Sequence, residues 1–381
     1  MIAAALVAGL ILGFTWAGYP LLMRLLSART KPRQKVTSVA NPAVAVLIAS
    51  RETPAAIANR VADVRAGSWP ESRLRVVVAL DVGGVAGGPE SAEATRLVTA
   101  VREAVAAKAE VVAGDAPGGK ASALNAGMRV IHESIVVMTD THQRFAPDAI
   151  ERLVAALEHD PRLGAVSGAL STRADGASPT VADLYWSMER RLREDEASIH
   201  STVGVTGAVY AIRRERMPRL PAGLILDDLY VPMSVVLGGA RVGFAGDARA
   251  TDQRRFSTDQ EYRRKVRTLT GVWQLCAWLP AVLLPGRNPI WLQFVAHKLL
   301  RLLTPLLTLV LVVAVAVVGV PAVHSVQPWA LPAAGVAAAA LLLAPGIGRK
   351  VRNLLHSLLA MQAAIVVASI NGIRGRWTVW R

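Results

Sequence analysis

The sequence predicts an α/β domain with a mostly parallel sheet, set between N- and C-terminal segments that cross a membrane. Three observations carry this. Short β-branched runs alternate with helical patterns between residues 42 and 268. Long apolar runs occupy both ends of the 381-residue chain. An apolar content of 52% and a mean hydropathy of +0.37 exceed what a soluble protein shows. The net charge of +15 would suit nucleic acid, but aromatics are only 5% and the basic residues flank apolar segments instead of forming one stripe, so nucleic acid is not an expected partner. The lone Cys276 excludes an intrachain disulfide and has no metal-ligand spacing around it.

The first element, residues 1–28, is expected to be a membrane helix: from Ile2 to Leu26 only Arg24 is charged, and Arg29, Lys31, Arg33 and Lys35 follow. Basic residues concentrate on the cytoplasmic side, which puts the next domain, residues 29–268, in the cytoplasm of an integral inner-membrane protein. A cleaved signal peptide fits less well, because the run lacks a basic start and is too long. Leu302–Val320 and Trp329–Leu343 predict a transmembrane hairpin within residues 299–347. Between domain and hairpin, residues 269–298 carry Trp273, Trp278 and Trp291 around Pro280 and Pro285, a pattern for a helical segment along the interface rather than a span; a buried amphipathic helix is the alternative. In residues 348–381, the apolar run Leu354–Ile370 is basic on both sides, so a span and an interfacial helix both stay open.

Inside the central domain, strands are predicted at Val44–Ala49, Leu74–Leu80, Ala109–Ala113 and Ser134–Met138, with helices at Pro54–Ala66 and Ala92–Ala107 among them. Ligands of such sheets bind beyond the carboxyl ends of the strands. Two of those ends carry acids: Asp81 after "VVVAL" and Asp140 after "IVVMT". Asp81 read alone suits a turn or helix cap as well as a ligand contact. Asp140 and His142 lie on one side of an extended chain, so the pair could hold a divalent cation, manganese or magnesium, against a diphosphate. In "GDAPGGKASALNAG", Gly118 and Gly119 lead to Lys120 at a helix start, a combination suited to an anion but without P-loop spacing. "LILDDLYVP" sets Asp227 beside Asp228, either as a proton acceptor with its neighbour or as N-terminal caps.

Taken in order, these segments resemble the membrane-embedded family 2 glycosyltransferases, relatives of cellulose, chitin, hyaluronan and bacterial exopolysaccharide synthases. The resemblance runs the length of the chain through "VLIASRET", Asp81, "KASALNAG", "DTHQRFAPDAI", "GVTGAVYAIRR", "LDDLYVP", "EYRRKVRTLTG" and "NPIWLQFVAHKLLR". It implies a GT-A fold and inverting, metal-dependent transfer from a nucleoside diphosphate sugar, with uridine the expected nucleoside. The acceptor would be a growing polysaccharide or glycolipid at the cytoplasmic face, with membrane lipid as a further partner. A polyprenyl-phosphate sugar transferase is the alternative.

Carried over by residue, the resemblance implies that Asp81 contacts the nucleoside, Lys120 and Asn125 lie in the donor-binding segment, Asp140 and His142 hold manganese or magnesium, and Asp228 is the general base beside Asp227. Arg264 and Arg267 fall on the first and fourth positions of the "QxxRW" motif of processive members, with Thr268 in place of Trp. Other departures are Glu52 where the first loop of the family has Asn, "VGGVAGG" after Asp81, and His142 in place of a second acid.

Overall fold

The computed structural model describes residues 1–30, 41–171, 181–252, 254, 256–323 and 347–378. Lys31, Arg33 and Lys35 of the basic cluster, the second half of the expected hairpin at Trp329–Leu343, and Arg381 lie outside them.

The four predicted strands are present as β1 (Val44–Ser50), β2 (Leu74–Leu80), β3 (Glu110–Ala113) and β4 (Ile135–Thr139). They pair in parallel in the order β3-β2-β1-β4. Every residue of β1 is buried, as expected when helices cover both faces of a parallel sheet and leave no solvent side for polar residues. Helix α1 (Pro54–Arg65) starts on Thr53, whose hydroxyl accepts from the Ala56 amide, with Pro54 in the first turn where no amide is needed. Helix α2 (Ala92–Val105) starts the same way on Ser91. Helix α3 (Lys120–Val130) instead begins after Gly119, whose φ of +90° favours glycine.

Beyond β4 the expectation of a mostly parallel sheet needs correction. The order continues β7 (Tyr210–Arg213), β6 (Leu163–Ser171), β8 (Arg241–Thr251) and β5 (Arg144–Phe145). β7 runs antiparallel to both β4 and β6, and β5 antiparallel to β8, while β6 and β8 are parallel. The sheet is therefore mixed. Strands and helices still alternate beyond β4, but β7 enters antiparallel between β4 and β6, a direction that alternation alone does not fix, and β5, two residues long, is too short for periodicity to register.

The chain forms two compact units, Met23–Arg255 with Gln274–Gln293, and Met1–Leu22 with Phe256–Trp273 and Phe294–Arg381. The first holds the sheet. The sequence boundary at 268 thus falls inside a single helix, Thr258–Trp278. Within the first unit, Leu275, Val282 and Ile290 of the expected interfacial segment are buried while Leu283, Leu284 and Leu292 are exposed. Gln274, fully buried, accepts from the Ile225 amide at 2.8 Å and donates to the Gly223 carbonyl at 3.0 Å.

Ile2–Ser27, most of which belongs to the second unit, and Val351–Ile373 are helical, 26 and 23 residues long, and apolar enough to cross a bilayer by length and composition. Trp291–Leu302 and Thr304–Val317 qualify together as one bent pair, with a 57° angle between them. Gly372 lies against Trp273, where a Cβ would come within 2.4 Å of the ring.

Candidate functional site

Strand ends build the rim. The Asp81 amide donates to the Ser50 carbonyl at 2.7 Å, and its side-chain Oδ1 accepts from Gly83 at 3.1 Å and Gly119 at 2.7 Å. These contacts need glycine: a Cβ on Gly118 would sit 2.2 Å from the Gly83 Cα, and φ is +86° at Gly118. The "VGGVAGG" departure thus accounts for how the two loops close on each other. Asp81 Oδ2 carries no partner among the described residues and faces the rim half-buried.

The stretch "TDTHQ" alternates as an extended chain should. Thr139, Thr141 and Gln143 point inward, each under 5% exposed, while Asp140 and His142 are half-buried on the outer side. The Thr139 hydroxyl donates to the Ala208 carbonyl at 2.8 Å, Thr141 to the Ser50 hydroxyl at 2.7 Å, and Gln143 to Asp252 at 2.7 Å. Asp252 in turn receives the Arg254 guanidinium at 2.7 and 3.0 Å.

Beneath Asp140 lies a residue that was not anticipated. Arg60 is fully buried, donates to Thr139 at 2.7 Å, pairs with Asp63, and stacks 4.2 Å from the Phe145 ring centre. Burial pushes its guanidinium down to about 10, with Asp63 pulling the other way. The signal was available: Ile57, Arg60, Val61 and Val64 share the spacing of an inward helix stripe, with Arg60 the only polar member.

Across the rim, Lys120 joins two of the acids. Its Nζ lies 3.0 Å from Asp140 and 3.1 Å from Asp227. Burial opposes the ammonium, but Asp140 and Asp227 outweigh it and hold the lysine protonated above its ordinary value. Asp227 and Asp228 open the helix Asp227–Leu237; Asp227 is 9% exposed and Asp228 is half-buried. The Asp228 carbonyl accepts from Val205, and a Cβ at Gly207 would lie 3.3 Å from the Asp228 Cβ, so a side chain at position 207 would press on the acid and require it or the "GVTGA" loop to shift. Tyr210 is fully buried nearby, its hydroxyl without a hydrogen-bond partner among the described residues; burial and then Asp227 hold the phenol well above its ordinary value.

Asn125 is turned away from the acids. Its Nδ2 donates to the Leu220 carbonyl at 2.8 Å and its Oδ1 accepts from the Leu220 amide at 2.9 Å, so it clamps the loop leading to Asp227. A cavity of about 370 Å³ lined by Asp115, Ser122, Asn125 and Arg219 adjoins this clamp. Arg264 and Arg267 belong to the other unit; Arg264 covers the Phe256 ring at 4.0 Å. Glu189 is buried and pairs with Arg193 at 3.5 Å.

No group of three His, Cys, Asp or Glu residues able to hold a metal occurs among the described residues. The protein offers two such donors just beyond β4, Asp140 and His142, the latter with its Nε2 2.9 Å from Glu52 Oε1. One oxygen and one imidazole nitrogen fit a divalent cation whose remaining ligands come from a diphosphate.

A family model described as glycosyltransferase-like family 2 matches residues 42–271, the sheet-bearing part just described. Among solved structures, the mannosyltransferase PcManGT from Pyrobaculum calidifontis, in complex with GDP-Man and Mn2+, is 22% identical over 98% of this chain and 99% of that one, with a TM-score of 0.67. Mannosyl-3-phosphoglycerate synthase from Rubrobacter xylanophilus is 16% identical over 62% of this chain and 74% of that one, with a TM-score of 0.38. No curated protein matches the chain. The chain belongs to glycosyltransferase-like family 2, and its fold is GT-A-like.

Proposed function

We propose that this family 2 glycosyltransferase moves a sugar from a nucleoside diphosphate donor to a carbohydrate or lipid-linked acceptor at the cytoplasmic face of a membrane, in one inverting displacement. The observation that carries the proposal is the meeting of Asp140, Lys120 and Asp227 at the carboxyl ends of the strands. One ammonium is held there between two acids, placed where a departing diphosphate needs positive charge and where the acids leave room for a cation to add more.

In this scheme Asp81 offers Oδ2 to the nucleoside, and Lys120 turns its ammonium to the diphosphate oxygens. Asp228 takes the proton from the acceptor hydroxyl while that oxygen bonds to the anomeric carbon and the bond to the diphosphate breaks. Asp227, already bonded to Lys120, keeps that ammonium at the rim and leaves proton transfer to its less buried neighbour. Asp140 and His142 would hold a divalent cation, which supplies Lewis-acid charge to the leaving group when bound. Arg264 and Arg267 remain candidates for the diphosphate and acceptor site on the resemblance alone, since guanidinium groups suit phosphate oxygens. The family resemblance implies uridine as the nucleoside; PcManGT is in complex with GDP-Man, so guanosine is an equal candidate.

The test is a panel of radiolabelled UDP- and GDP-sugars offered to protein in native-like lipid, with manganese, magnesium or chelator. Labelled polymer or glycolipid is the expected product. Label accumulating only in a polyprenyl monophosphate sugar would move the reading to that transferase, and no label from any donor would overturn it.

A further inference from the structure

Two of the positions at which the chain departs from its family's pattern touch each other. Glu52, in the loop after β1, and His142, in the loop after β4, are 90 residues apart in sequence and meet at 2.9 Å between Oε1 and Nε2. We infer that Glu52 is a positioning residue that fixes the His142 ring for a divalent cation, an inference that rests on the metal reading proposed above.

A carboxylate only accepts, so the 2.9 Å approach of Glu52 favours a proton on Nε2, and a neutral ring in that tautomer keeps its lone pair on Nδ1. His142 has no other partner among the described residues, which keeps Nδ1 open to a ligand. Metal-binding histidines almost always donate their second ring N–H to such an acceptor, which fixes the tautomer and raises the basicity of the ligating nitrogen.

The support beneath the pair is built as well. The Ser50 hydroxyl accepts from the Glu52 amide at 3.0 Å and from the Thr141 hydroxyl at 2.7 Å, and the Ser50 carbonyl accepts from the Asp81 amide at 2.7 Å. One buried serine thus ties the two loops that carry Glu52 and His142, and β1 and β4 pair directly through Ile48 and Thr139 below them. Glu52 and His142 are 39% and 33% exposed in their side chains, so the contact read only as a surface ion pair would contribute little to stability. Orientation of the ring is the role that its geometry serves.

The experiment is Mn2+ binding to the full chain, read by the electron paramagnetic resonance signal of free Mn2+ in the presence of UDP or GDP, whichever binds. Glu52→Ala is expected to weaken Mn2+ binding about 10- to 100-fold, and Glu52→Gln less, since its amide oxygen still accepts from Nε2. In a His142→Asp background the same Glu52→Ala change should alter Mn2+ affinity less than about twofold, because a carboxylate ligand needs no ring orientation. Equal Mn2+ affinity in Glu52→Ala and the parent, or equal loss in both backgrounds, would overturn the inference while leaving the metal site in place. Undiminished Mn2+ binding by both Asp140→Ala and His142→Ala would instead remove the metal reading, and the inference with it.

Discussion

Asn125→Ala separates a clamp from a donor contact. The side chain makes two hydrogen bonds, to the carbonyl and from the amide of Leu220, a residue 2% exposed. Each bond contributes about 1 kcal/mol net, and each backbone group left without a partner costs about 1–3 kcal/mol more. The adjoining cavity gives water a route to both freed groups and trims that cost, which sets the expected loss near the lower end, about 2 kcal/mol. For a domain of this size that is a melting temperature lower by about 4–8 °C. Because the loop after Leu220 leads to Asp227 and Asp228, turnover should fall as well, while donor affinity holds. Thermal unfolding followed by intrinsic fluorescence, with donor binding by calorimetry, reads both. An unchanged melting temperature together with donor affinity reduced tenfold or more would refute the clamp and make Asn125 a donor contact.

Three further outcomes follow from the same geometry. Asp228→Asn should lower turnover by about a hundredfold or more with nucleotide affinity unchanged, and Asp227→Asn should be milder; similar losses in both with weakened nucleotide binding would make the two acids a structural pair. Gly207→Ala brings a methyl 3.3 Å from the Asp228 Cβ and should cut turnover more than tenfold while the protein still folds, as read by unchanged circular dichroism; parental turnover would show that the loop gives way. Asp252 titrates below its ordinary value of 3.8, since its bonds from Arg254 and Gln143 outweigh burial, so the stability it adds is complete above 3.8 and is lost as pH falls through the lowered value. Melting temperature of the parent should therefore approach that of Asp252→Asn on acidification, and a constant gap between them would contradict this.

Much of the site was legible because it is local. The alternation in "TDTHQ" follows from the period of an extended chain, and the carboxyl-end rule places Asp81 and Asp140 on one rim. What escaped depends on long-range pairing. Nothing near Glu52 announces His142, nothing near Asn125 announces Leu220, and the antiparallel entry of β7 between β4 and β6 is written in no local period. Arg60 is a different case, since its place on an apolar helix stripe was visible and a charged residue there is normally read as an exposed break in the pattern. Asp81 uses Oδ1 to close the glycine loops, the turn role the sequence allowed, and its contact with the nucleoside through Oδ2 belongs to the proposal.

The most direct measurement is the release of nucleoside diphosphate from the accepted donor sugar in the presence of acceptor, compared between the parent and Asp140→Ala with Mn2+ and with chelator. If transfer takes place at the rim where Asp140 meets Lys120, the parent turns over with Mn2+, and Asp140→Ala loses at least about a hundredfold, on the scale of removing an electrostatic stabiliser of the leaving group. Full turnover by Asp140→Ala in chelator would contradict it.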